Sequence, residues 1–176
     1  MALPLDALSE LFEAMGEFSS GHRACHALYL AAAQRFEQPD PVVASQYAYT
    51  RRTETWSYFV EFGPSIAERI IQPVMREAYL QKLSAASEEH LSQPETALRF
   101  LLRAFAIRFD DQRYSTDAER LASQIKRWDL VVSEWRAAIE NAGSVATELH
   151  RRLARWHLGP ALDEARAKHH FSMVVE

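Results

Sequence analysis

Residues 117–158 read DAERLASQIKRWDLVVSEWRAAIENAGSVATELHRRLARWHL. Within them Ala118, Leu121, Ile125, Trp128, Val132, Trp135, Ile139, Ala142, Ala146, Leu149, Leu153 and Trp156 recur at alternating intervals of three and four. In a helix that spacing lays them along one stripe, while Arg120, Lys126, Arg127, Glu134, Arg136, Glu140, Arg151 and Arg152 fall on the other faces. The stripe predicts a buried seam and sets the fold class as all-α. Gly143 and Ser144 interrupt the run. Two independent helices would keep their seams in phase only about two times in seven, so one bent helix is the expected form. Unbroken from Asp117 to Leu158 it would span about 63 Å, longer than the roughly 40 Å across a compact chain of this size. The expectation is therefore an elongated bundle of seven or eight helices with one long, bent C-terminal helix.

Punctuation supplies the other helices, since all five glycines fall at or near expected helix ends. A first helix is expected over Leu5 to Phe18 and a second over Gly21 to Gln38. Asp40 with Pro41 starts a third, which Gly63 and Pro64 close. Ser65 and Glu68 form a capping box for a fourth helix, with Ile66, Ile70, Ile71, Val74, Met75, Ala78 and Leu83 inward and a bend near Pro73. It fades around His90. Ser92 with Glu95 opens a fifth, apolar on two sides and so central to the bundle. Asp110 to Thr116 reads as a loop, after which Thr116 and Glu119 cap the long segment. A short helix from Ala161 to about His169 precedes an apolar tail, Phe171 to Val175, expected to fold back on the bundle.

The chain has 176 residues, 48% of them hydrophobic, enough for one domain with a proper core and too few for two comfortable ones. A single domain over 1–176 is expected. Twenty basic residues against twenty-four acidic ones leave a formal charge of -4, which argues against a dedicated coat for nucleic acid or anionic membrane. One cysteine makes no internal disulfide, the N-terminal residues lack the pattern of a secretory signal, and no apolar run approaches a membrane span. A cytoplasmic location is expected, without membrane partners.

Chemistry is sparse. His22, Cys25 and His26 stand at i, i+3 and i+4 on one helical face, the arrangement a metal site needs of imidazole and thiolate ligands, with His150 and His157 as further ligands elsewhere. Tyr29, Ala33 and Phe36 continue that face, which favours a core stripe. A haem-binding bundle with His90 as axial ligand lacks any supporting second pattern. Asp110 and Asp111 read as a solvated helix exit and not as an acid/base pair. There is no nucleophile elbow, phosphate loop, dinucleotide fingerprint or zincin motif. No enzyme activity and no cofactor are expected.

On the third helix Tyr47, Arg51, Tyr58 and Phe62 lie opposite the core stripe Val42, Tyr49, Thr53, Trp56 and Val60. Tyrosine and arginine together are the composition of a protein-binding hot spot. The leading reading is a non-catalytic interaction protein, an adaptor, inhibitor or complex subunit, with a protein partner or a second copy of itself. Arg99, Arg103, Arg151, Arg152 and Arg155 carry the alternative, a subunit of a nucleic-acid-protein complex. A metal-binding or haem-binding bundle is the third reading.

Overall fold

The computed structural model describes residues 21–35, 40–108, 111–140, 146–159, 161 and 163–175. The expected first helix and the Gly143 interruption lie outside them. The described residues form nine helices and no strand, confirming the all-α class. They pack as two compact units, one up to Phe100 and one from Leu101 onward.

In the first unit, α1 (His22–Arg35) buries Cys25, His26, Tyr29, Ala32 and Ala33, one stripe at i, i+1, i+4, i+7 and i+8. Helix α2 (Asp40–Thr53) buries Val42, Val43, Gln46, Tyr49 and Thr50 in the same rhythm. The expected third helix does not continue to Gly63. Glu54 turns to φ 56° and ends α2, and α3 (Trp56–Ala67) starts afresh. Gly63 and Pro64 do not close it either: Pro64 lies inside α3, whose face Phe59, Gly63, Ile66 and Ala67 is buried. An interior proline costs about 3 kcal/mol, whereas full burial of Phe59 and Ile66 contributes about 1.5–3 kcal/mol each, so packing carries the helix through.

Helix α4 (Pro73–Ala85) begins at Pro73, with Pro in the first turn, so there is a break where the sequence suggested a bend. Ser65 belongs to α3 and caps nothing, and Ile71 and Val74, expected inward, are 73% and 64% exposed. A π turn, Ala86–His90, extends α4 and brings His90 flat against Trp56, ring centres 3.9 Å apart and planes within 4°. Helix α5 (Pro94–Ile107) buries Ala97, Leu98, Phe100, Leu101, Leu102, Ala104 and Phe105, apolar on two sides as expected. Its opening is not the expected capping box, since Ser92 sits at φ 54°.

The long C-terminal helix is the main correction. The segment is divided among α6 (Gln112–Ile125), α7 (Trp128–Ile139) and α8 (Ala146–Leu158), and the longest described helix is instead the 18-residue run from Pro73 to His90. Lys126 adopts φ 58° and its amide, with that of Arg127, bonds back to the Ala122 carbonyl, a left-handed helix end made without glycine. Every described member of the seam is nonetheless buried or half-buried, because three short helices can each fold their stripe inward where one rod cannot. The estimate of a 63 Å rod, and the argument for elongation built on it, fall with the break. Helix α6 also starts before the expected cap: Asp111 accepts the Arg113 amide at 3.0 Å, and Thr116 lies inside the helix. Finally α9 (Glu164–Val175) runs through the expected tail, leaving Phe171 and Met173 partly exposed. It packs closely on α8, with Ala154 and Ala167 fully buried.

Candidate functional site

The sequence-derived candidates are dispersed or used up by internal packing. Tyr47 and Arg51 belong to α2, Tyr58 and Phe62 to α3, so the break at Glu54 dissolves their common face. Tyr58 and Phe62 turn toward α1, where His26 lies 6.0 Å and 6.4 Å from their rings. Tyr47 instead meets Trp56 and Phe59 at 6.2 Å and 5.7 Å, with the Lys82 ammonium 4.5 Å from its ring centre. Arg51 remains exposed. Among the arginines, Arg99 pairs with Glu95 at 2.9 Å one turn away, Arg151 faces Glu148 at 3.6 Å, and Arg103 is half-buried.

His22, Cys25 and His26 enter the first unit's polar core. Tyr79 donates to Gln46 Oε1 at 2.6 Å, so the Gln46 amide nitrogen faces His26 Nδ1 at 3.2 Å. An amide NH₂ only donates, which makes Nδ1 the acceptor and places the proton on Nε2, 3.0 Å from Thr55 Oγ1. Thr53 donates to the Tyr49 carbonyl, so the 2.9 Å contact between the threonine hydroxyls runs from Thr55 to Thr53. Both His26 nitrogens are thus occupied, and burial pushes the group down to about 4, with His22 adding to the shift. His22 Nδ1 lies 2.7 Å from the Tyr49 hydroxyl, and Cys25 is buried. As arranged, His26 has no lone pair left to ligate a metal.

The remaining arginines, Arg152 and Arg155, come together with groups the sequence did not associate with them. Arg152, Arg155 and Trp156 lie on one side of α8 at i, i+3 and i+4. The turn at Lys126 brings Trp128, at the start of α7, to the Trp156 ring, 5.7 Å between centres and 30° between planes. With Glu119 of α6 these five residues line a pocket of about 260 Å³. Arg152 is only 13% exposed in its side chain and is neutralised twice, by Glu119 at 3.2 Å and Glu148 at 3.3 Å. Arg155 is exposed and meets no carboxylate among the described residues. The pocket therefore presents two indoles and one uncompensated guanidinium. A ring inserted between two aromatic faces needs roughly 7 Å between them, so an occupant lies against the tryptophans and not between them.

Behind Trp156 the interior is polar and incompletely satisfied. Trp156 Nε1 and both nitrogens of His157 are buried without a partner among the described residues. His157 stacks on His170, 5.5 Å between centres and 11° between planes, and His170 Nδ1 lies 2.9 Å from His150 Nδ1. Burial lowers all three imidazoles: His170 to about 4, helped by its histidine neighbours and Arg136, and His157 against the opposing pull of Asp163. His150 and His157 were recognisable as a pair on one flank of the segment, but no spacing pointed to His170. Among the described residues no group of three ligating side chains converges as a metal requires.

No protein-family model, curated protein or solved structure matches this chain.

Proposed function

We propose that this chain works by contact and not by catalysis: a cytoplasmic helical adaptor or complex subunit that receives an acidic segment of a protein partner at the Trp128–Trp156 pocket. The observation that carries the reading is the unpaired Arg155 beside two indoles, with Arg152 already neutralised. Tryptophan and arginine are the side chains most enriched where binding energy concentrates. At about 260 Å³ the pocket suits one planar or carboxylate-bearing side chain and falls below the roughly 300–1,000 Å³ usual for small-molecule and cofactor sites. Its single carboxylate, Glu119, is held by Arg152 and is poorly placed to exchange protons. No described helix is long and apolar enough to cross a membrane.

A second reading keeps the same pocket but places a nucleobase against the indoles, since aromatic faces and arginine also bind single strands. One surplus cation releases few counterions, and the chain's -4 charge repels phosphate, so the protein reading is favoured. Affinity purification with mass spectrometry, comparing the wild-type chain with Arg155→Glu, tests the proposal. Loss of specific partners carrying acidic segments, with the thermal midpoint unchanged, is the expected result. Equal capture by both forms would refute it. Steeply salt-dependent retention of single-stranded RNA, lost in the variant, would establish the second reading instead.

A further inference from the structure

We propose that His150, His157 and His170 form a proton-operated latch that holds the α8–α9 hairpin closed while the rings are neutral and releases it on acidification. The three residues are 9%, 1% and 7% exposed and their rings touch in series, His150 to His170 to His157, so an unbroken run of imidazoles bridges the two helices beside the apolar Ala154–Ala167 contact. Between His150 and His170, one Nδ1 carries a proton and the other accepts it across 2.9 Å. The donor ring can take a proton on its outer nitrogen and keep the bond, but a second proton puts two N–H groups face to face. Among the described residues His157 has no acceptor for even one N–H, and protonation gives it two, stacked against a neighbour subject to the same change.

The surrounding charges reinforce this. Arg136 of α7 and Arg166 and His169 of α9 face the cluster, against the single carboxylate Asp163. Asp163 is itself engaged by the Arg166 amide at 3.0 Å and by its guanidinium at 3.3 Å. Among the described residues nothing in the seam beyond Asp163 is positioned to neutralise two or three imidazolium ions. An open hairpin exposes all three rings to water, where they protonate normally, so opening takes up protons. A short helical pair at the end of a unit is the kind of element that opens by itself.

The test is site-resolved hydrogen exchange from pH 7 to pH 5, corrected for intrinsic chemistry. For His170 alone, held at about 4 when closed and at 6.5 when open, the opening constant rises by up to roughly 20-fold over that interval. That acceleration is expected in α8 and α9, with α6 and α7 lagging, and is expected to disappear in the His157→Phe/His170→Phe variant. Uniform acceleration across all helices, or equal acceleration in the variant, overturns the latch. Should the variant fail to fold, ring-carbon NMR titration of the wild-type chain decides. Depressed, mutually coupled titrations support the latch, and three independent titrations near 6.5 overturn it. The Trp156 ring lies 4.7 Å from that of His157. Release of the pocket's partner at low pH would follow, a step that rests on the function proposed above. If partner release fails while hairpin exchange still accelerates, the pocket reading fails and the latch stands.

Discussion

Gly63→Ala measures how closely α3 and α4 approach. A methyl group built at Gly63 overlaps Leu83 Cδ2 and falls 2.8 Å from Cδ1 and 3.1 Å from Cγ. Ordinary carbon contacts are roughly 3.5–4.0 Å, so Leu83, fully buried, has to move by about an ångström. Overpacking of this kind costs about 1–3 kcal/mol, while replacing glycine by alanine inside a helix returns about 1 kcal/mol. The net expectation is destabilisation by about 1 kcal/mol. Leu83→Ala alone opens a cavity and costs about 2–5 kcal/mol. In that background the Gly63 methyl has room, only the helix term remains, and the same substitution stabilises by about 0.5–1 kcal/mol. The sign therefore inverts between backgrounds. Urea unfolding followed by circular dichroism, with equal slopes in all four proteins, reads the cycle. Identical effects of Gly63→Ala in the two backgrounds, or stabilisation in the wild-type chain, would refute the close contact.

Two further perturbations address the helix ends and the first unit's polar core. Lys126 occupies a left-handed conformation that costs a side-chain-bearing residue about 1–2 kcal/mol. Glycine there gives back about 0.5–1 kcal/mol through its unfolded-state entropy. Lys126→Gly is thus expected to stabilise by about 0.5–1 kcal/mol, seen as a higher thermal midpoint, and a lower midpoint would mean the α6–α7 turn is not left-handed. His26 is a base whose folded value lies near 4, below 6.5, so its contribution is complete above pH 6.5 and is lost as pH falls toward 4. That loss amounts to about 3 kcal/mol at most. The unfolding free energy of the wild-type chain, read from urea curves, is expected to fall with pH across this window with a slope steeper by up to one proton than that of His26→Asn, and parallel curves would show His26 to be accessible to protons when folded.

The sequence made helical class and burial legible, because both follow from side-chain spacing. Ala118, Leu121, Trp135, Leu149 and Leu153 are buried as their periodicity required. Helix ends were less legible. Glu54, Ser92 and Lys126 all take positive φ, and none is glycine, so the residue type that marks such turns was absent. Conversely Pro64 looked like a stop and is not one, since Phe59 and Ile66 continue the buried face across it. These errors propagated to the site. Arg152 and Arg155 were readable as an arginine cluster, but the meeting of Trp128 with Trp156 depends on the turn at Lys126, which preserves the heptad phase and so leaves no trace in it. His170 joins His150 and His157 only through the pairing of α8 with α9, a tertiary fact that no local pattern carries.

The chain of donors from Tyr79 through Gln46, His26, Thr55 and Thr53 to the Tyr49 carbonyl runs in one direction only. A buried aliphatic residue such as Leu80 can be exchanged for another of similar volume, but replacing any link here strands the groups on either side of it. In descendants of this sequence these side chains are therefore expected to be inherited as a set while the greasy positions around them drift. A lineage that loses Gln46 should have lost His26 as well.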